Sequence, residues 1–528
     1  MPKKPNLEYV VAYERLGSVQ AVAREFGVNR SVVQRSLAAQ GVETNPEKLL
    51  GKLGGIKTTK MPVPEKGISY YIVTAAQNNT KVNQGFLDNL EALAEHYAAK
   101  IMVCPFTYSP TTSRTDPDDN DWFDPLIQEY LVSERVELAP GLVLCAEITR
   151  VLPTASRPLS GFETYTGRAS SIFPHAKIVM ESVPSMKNEK TKFLYTTGAV
   201  TKHNYSRTKA GFKGEHHHAY GALIVAVSKK GWWVRQLNAD NQNRVHDLDV
   251  VADGGKIYTG SRIVALVSGD VHVATIDPAV LEATWGENGL AARLQPDVQV
   301  LHDVFDMESR PWQDELSFHR SFEKFVKTRD SVQNEVTECA EMLNGMILGG
   351  AHKTVIVRSN HDLKLEKWLD TADYRKDLVN AEFFLRAQIE KIKAIIDDNQ
   401  KFKVLEWALE DAGLDRDTYD VQFLGEDESY VLLKNRSGGI ECGNHGHLGP
   451  NGSKGTARGL AKMARKQIIG DKHSAAIVDG VYVTGTCSGE KVAYTRGPSS
   501  WSPTHCIVYP NGKRALVTMW AGSFTEIE

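Results

Sequence analysis

At 528 residues the chain is too long for one ordinary core, so roughly two to four domains are expected. The formal net charge of -3 excludes a global attraction to nucleic acid and leaves only local basic patches for that purpose. Six cysteines scattered singly between Cys104 and Cys506 exclude a disulfide framework, and no apolar run reaches the length of a signal core or a membrane span. This pattern fits a reducing cytosol.

Residues 1–45 read as three short helices, each with one apolar face. The faces carry Leu7, Val10 and Val11, then Val19, Val22 and Ala23, then Val32, Val33 and Leu37. Ser18 is placed to cap the second helix, and Gly27 separates it from a third that begins at Asn29 or Ser31. Helix, glycine turn, helix is the helix-turn-helix pattern. Its candidate recognition helix offers Asn29, Arg30, Ser31, Gln34 and Arg35 to bases or phosphates. Counting Lys and Arg against Asp and Glu gives residues 1–60 a charge of about +5. DNA contact is the expectation, with a protein-interaction module as the alternative. Residues 46–67, rich in Gly, Pro and Lys, read as a linker.

Residues 68–258 begin with a strand at Tyr70–Thr74, an amphipathic helix over 84–98 and a strand at Ala99–Val103. This predicts an α/β middle domain. Ser109–Asp121 reads as a loop, and further strands are expected at Gly141–Ala146, Lys177–Met180 and Ala222–Val227. Gly214–His218 is expected to be a polar loop rather than a metal site. The basic, aromatic tract Lys202–Lys213 suits either a phosphate backbone or solvent. No chemistry is assigned to this segment.

Residues 259–528 hold a series of polar clusters, three of them at the ends of apolar runs. Ile263–Val267 leads to Asp270 and His272; Val298–Leu301 leads to His302, Asp303 and Asp306; Val355–Val357 leads to Ser359, Asn360, His361 and Asp362. Strand ends are where α/β folds place ligands. His445 and His447 follow among glycines, and Asp471 and His473 come last. Asp and His two apart at a strand end can turn to one divalent ion. Residues 374–412 have helical spacing, with Phe383, Phe384, Leu385, Ile389, Ile392, Ile395 and Ile396 expected to pack as a cap or layer, or to form a dimer surface. His319 reads as an ordinary residue of a helix over 314–327. Lys454, Arg458, Lys462, Arg465 and Lys466 space as a basic helical stripe.

The series resembles the order Asp-x-His, Gly-Asp-x-x-Asp, Gly-Asn-His-Asp, His and Gly-His-x-His of the calcineurin-like metallophosphoesterases, which include the Mre-type and SbcD-type nucleases. Asp270-Val271-His272 and Asn360-His361-Asp362 carry the resemblance most clearly. His302 and Ser359 stand where that family usually has glycine, and Asp471 stands where it has a histidine. The resemblance implies a C-terminal phosphoesterase domain over 259–528, with two sheets flanked by helices. It also implies two divalent ions, Mn²⁺ ahead of Mg²⁺. One would be held by Asp270, His272, Asp303 and His473, the other by Asp303, Asn360, His445 and Asp471, with Asp303 bridging. Ions about 3.5–4 Å apart activate a water for in-line attack on phosphorus. His361 would stabilise phosphate charge or act as the proton donor with Asp306 orienting it, and His447 and His319 are the weaker candidates for gripping substrate phosphate. Beside the N-terminal reader this implies a metal-dependent DNase, and it is similar to phage-encoded early DNA-transfer nucleases acting in the host cytoplasm. The expected partners are DNA and further copies of the chain. The alternatives are a DNA-binding or scaffolding protein with a degenerate site, or a nucleotide or protein phosphatase.

Overall fold

The computed structural model describes residues 7–16, 19–40, 56–108, 121–186, 189–311, 317–434, 438–488, 497–520 and 522–525. They fall into two compact units, residues 1–59 and 60–528. In the first, helices Glu8–Leu16, Val19–Glu25 and Arg30–Ala39 bury Tyr9, Ala12, Val22, Ala23, Val33 and Leu37 against one another. Tyr9 meets Phe26 edge-on, with ring centroids 5.0 Å apart. Gly27 turns the chain at φ +62°, a left-handed conformation that costs a residue with a Cβ about 1 kcal/mol or more. Arg35 is exposed on the third helix, while the side chains of Arg30 and Gln34, the expected cap Ser18 and the linker residues 46–55 lie outside the described residues.

The second unit is built around a six-stranded sheet. Its order is Asp420–Phe423, Lys353–Val357, Val298–His302, Ala265–Asp270, Thr504–Val508 and Arg514–Thr518. The first four strands run parallel, and the last two are antiparallel. Strand alternation sends neighbouring residues to opposite faces. Leu266, Leu301 and Ile356 enter one core, whereas Val267, Val300, Val355 and Val357 enter another. The first core is closed by helices. Val332–Gly349 contributes Val332, Val336, Cys339, Leu343 and Met346, a helical repeat of one buried face. Pro278–Trp285, Leu363–Thr371 and Val404–Asp411 complete that layer.

The second core is shared with a long mixed sheet and a four-stranded sheet. In it Ile440, Ile468, Tyr482, Met180, Phe193, Val225 and Trp233 meet the six-stranded sheet's valines. Segments 68–258 and 259–528, read from the sequence as two domains, therefore form one compact unit. Met180–Val183 adds to the same sheet as Ala476–Val478 through the Met180–Ile477 pair. The chain crosses 258 in an exposed stretch, but the two segments share a core on either side of it.

Local expectations are corrected in four places. Gly214–His217 belongs to the helix Lys209–His217, capped by the Thr208 side chain, and is not a loop. The strand expected at Lys177–Met180 runs from Met180 to Val183. Helix Ala381–Ile396 buries Phe383, Phe384, Ala387 and Ala394, but Leu385, Ile389, Ile392, Ile395 and Ile396 are exposed, so most of the expected packing face is bare. The basic stripe does not form either. The helix there is only Ala457–Ala461, Arg465 pairs with Glu441 at 3.1 Å, and Lys466 starts a strand. Among the described residues no helix is long and apolar enough to cross a membrane, and all six cysteines are buried and unbridged.

Candidate metal centre

Three adjacent parallel strands deliver the first half of the site. Ala265–Asp270, Val298–His302 and Lys353–Val357 end side by side, so Asp270 and His272, Asp303 and Asp306, and Asn360 and His361 emerge at one edge. The facing sheet delivers the rest. Ile440–Glu441 and Lys466–Ile469 are paired in parallel, and the loops after them carry His445, Asp471 and His473 to the same edge.

The chain turns sharply to achieve this. His272, Asp303, Asp471 and His473 all adopt left-handed backbone conformations, at φ 48°, 49°, 65° and 54°. Each such residue costs about 1–3 kcal/mol, and such strain collects where function fixes geometry. Gly470 is required by close approach, since a Cβ there would lie 2.1 Å from Asp270 Oδ1 and 3.1 Å from His445 Nδ1.

Four groups converge first. Ligand atoms of Asp270, His272, Asp303 and His473 all lie within 4.8 Å of one another, and all four residues are buried. His473 Nε2 is 2.9 Å from Asp270 Oδ2 and 3.0 Å from His272 Nε2, and His272 Nε2 is 3.6 Å from Asp303 Oδ2. Neither oxygen of Asp270 accepts a hydrogen bond, so the His473 approach lacks hydrogen-bond alignment. Two buried carboxylates and two ring nitrogens aimed at a common point, with orphaned oxygens, are a fitting donor set for a divalent ion. Asp306 Oδ1 lies 2.6 Å from His272 Nδ1. A carboxylate only accepts, so Nδ1 carries a proton, and Nε2 is the nitrogen left to give a lone pair when a cation displaces its proton.

A second group gathers on His445 Nε2, with Asn360 Oδ1 at 3.0 Å, Asp303 Oδ2 at 3.4 Å and Asp471 Oδ1 at 3.9 Å. Asp303 thus borders both groups. Asp471 is also engaged by the ammonium of Lys472.

Burial opposes charge on all these groups, yet their mutual fields prevail. His272 is pushed up to about 9, because the Asp306 hydrogen bond and the charges of Asp303 and Asp270 outweigh desolvation. His445 also rises to about 9, from Asp303, Asp270 and Asp471. Asp306 is held down at about 2 by His272 and His361 despite its burial, and Asp270 and Asp303 are held low by His445. The site is thus a carboxylate-rich pocket that draws positive charge inward.

His361 stands at the mouth, half-buried. Its backbone N–H donates to Asp303 Oδ1 at 3.3 Å. Its Nδ1 is 3.3 Å from Asp306 Oδ1 and 2.8 Å from Lys364 Nζ. The two contacts ask for opposite tautomers, since an ammonium only donates to Nδ1 and a carboxylate only accepts from it; the shorter one, to Lys364, favours Nδ1 as an acceptor with the proton on Nε2. Asp306, expected to orient His361, makes its shorter bond to His272. His447 lies beside His445, with rings 5.4 Å apart, at a cavity of about 360 Å³ also lined by Arg358 and Arg465. His447 Nδ1 is buried without a partner. His319 is exposed on helix Phe318–Val326, outside both groups.

Sequence reasoning missed three contributors. Lys364 follows His361 by one helical turn, a spacing that signals contact only once the helix is known. Asp362, passed over for metal contact, accepts from the Phe305 N–H at 3.2 Å and so ties two ligand loops together; burial and Asp303 raise it to about 6. His302, a departure of little consequence in the motif, touches His445, with Nδ1 atoms 3.4 Å apart.

Fold and site together define a mixed α/β protein of several sheets whose buried His/Asp cluster can hold a metal ion. No family model matches the chain, and no solved structure matches it. Protein A1 of Escherichia phage T5 is 36% identical over 468 residues, covering 86% of this chain and 82% of that protein. The chain belongs to the family of that phage protein.

Proposed function

We propose that this chain is a divalent-metal-dependent DNA nuclease of the calcineurin-like type, encoded by a phage. The observation that carries the reading is the convergence of Asp270, His272, Asp303 and His473 around carboxylate oxygens that have no hydrogen-bond partner. In this reading those four residues hold one ion. Asp303, Asn360, His445 and Asp471 hold the other, with Mn²⁺ favoured and Mg²⁺ acceptable to the oxygen donors. Such ions lower the pKa of a water and neutralise phosphate charge. The chain's own residues do the rest. Asp306 fixes the His272 tautomer, and Lys364 keeps the proton of His361 on Nε2, where it can be given to the departing oxygen. His447 and the neighbouring arginines receive the phosphate backbone. The helices of residues 7–40 read DNA, with Arg30, Gln34 and Arg35 as contacts. Self-association has its candidate surface in the exposed Leu385, Ile389, Ile392 and Ile396 stripe; sedimentation as a monomer at all concentrations would contradict it.

A second reading, a DNA-binding or scaffolding protein with a degenerate site, is favoured by the Lys472 contact that competes for Asp471. Incubating the full chain with linear and supercoiled duplex DNA separates the two. The nuclease reading expects cutting with Mn²⁺ or Mg²⁺ and none with chelator. DNA that is bound but left intact with every metal supports the scaffold.

A further inference from the structure

The departure at His302 has a use. This residue closes the Val298–His302 strand and is fully buried. Its ring lies 5.5 Å from that of His445, with the planes 32° apart. On the far side of His445, Nε2 faces only Asn360, Asp303 and Asp471 oxygens. An imidazole that gives its Nε2 lone pair to a cation must carry its remaining proton on Nδ1. That proton needs an acceptor inside a buried site. Asp270 Oδ1 is 4.0 Å from Nδ1, beyond hydrogen-bond reach, and His302 Nδ1 is 3.4 Å away. His302 Nε2, on the other side of its ring, has no partner. With nothing at Nε2 to dictate the tautomer, the contact with His445 decides it: a neutral His302 turns its Nδ1 lone pair to the His445 N–H, at the cost of a buried Nε2–H without a partner.

We propose that His302 is a positioning residue for the second ion, holding His445 in the Nδ1–H tautomer that presents Nε2 as a ligand. This rests on the metal-centre reading above. A glycine at this position, as the phosphoesterase pattern would have it, would leave the Nδ1 proton without that acceptor. The Asp270 oxygen, 4.0 Å from Nδ1, is too far away and belongs to the first group of ligands.

The test is calorimetric titration of the full chain with Mn²⁺. His302→Leu keeps the buried volume and removes the acceptor. His302→Asn puts an oxygen close to where Nδ1 stood. Groups that orient a metal-ligating histidine change affinity by about 10–100-fold when removed. The Leu variant should therefore lose about that much affinity for one ion while retaining the other, and the Asn variant should stay within about threefold of the parent. A Leu variant that binds both ions as the parent does overturns the assignment. So does an Asn variant that falls as far as Leu, since the side chain would then matter only for packing. Thermal melts of both variants separate misfolding from lost affinity. A parent that binds no Mn²⁺ overturns the metal-centre reading and this assignment together, whereas an unaffected Leu variant of a binding-competent parent overturns this assignment alone.

Discussion

Two regions of the unit 60–528 are rich in histidine, and they differ in whether their donors could hold a cation. Around His218 the ring nitrogens are already used: Nδ1 meets the Tyr205 hydroxyl at 2.7 Å and Nε2 meets the Thr201 carbonyl at 2.8 Å. Burial then pushes His218 and His217 down to about 4, so both are neutral at physiological pH. Around Asp270 the balance is reversed. Asp270, Asp303 and Asp306 are buried together, and the same burial that depresses other histidines is overcome for His272 and His445. The number of histidines does not mark a metal centre. What marks it is an excess of buried carboxylate, with both oxygens of Asp270 left without a hydrogen-bond donor.

The comparison can be broken by removing the carboxylates. Asp303→Asn takes away the group common to both ligand sets, and DNA cleavage should fall by more than about 100-fold. Gel assays over a time course read this directly, and parent-like cutting would dissolve the distinction between the regions. His361→Ala should slow cleavage by about 10²–10⁴-fold, the usual worth of a positioned proton donor, while Mn²⁺ affinity is preserved. Affinity falling in step with rate would instead make His361 a ligand. Gly470→Ala places a methyl against Asp270 Oδ1 and should weaken Mn²⁺ binding by about 10–100-fold, measured by calorimetry. A parent-like affinity there would mean that the loop yields without moving the ligand.

Acid sharpens the contrast from the other side. His175 is fully buried and held at about 4, with Nδ1 accepting from the Lys177 N–H and Nε2 meeting the Leu152 carbonyl. A histidine depressed from 6.5 takes up its proton in the unfolded chain first. The stability it contributes is complete above pH 6.5 and is lost as pH falls toward 4, by about 3 kcal/mol in all. Urea melts of the parent between pH 7 and pH 4.5 should show the loss, and His175→Asn should make the slope shallower, with His217 and His218 still contributing. An equally steep profile in that variant would assign the acid sensitivity elsewhere. The smallest effect is expected at His216→Ala and His217→Ala, which should leave Mn²⁺ affinity unchanged within about twofold.

Much of the six-stranded sheet was legible because its parallel strands are short apolar runs that end in polar clusters. Val298–His302 and Lys353–Val357 lie close to where the pattern placed them. The first ligand group was legible for the same reason, since Asp270, His272 and Asp303 follow strand ends directly. What failed was the pairing of distant strands and the contacts outside the ligand series. No local pattern says that Met180 adds to the sheet of Ile477, which merges two expected domains. Nor does any say that His302 and His445, 143 positions apart, share a contact. The exposed face of Ala381–Ile396 misled because apolar spacing reports a helix without saying which side is covered.

The central claim is that the buried carboxylate cluster is a two-cation centre joined through Asp303. Its most direct test is the stoichiometry of Mn²⁺ binding to the full chain and to Asp303→Asn, measured by calorimetry and checked by metal analysis after dialysis. The account predicts two ions per chain for the parent and loss of both in the variant, with the fold intact by circular dichroism. An Asp303→Asn chain that binds two ions as the parent does would contradict it.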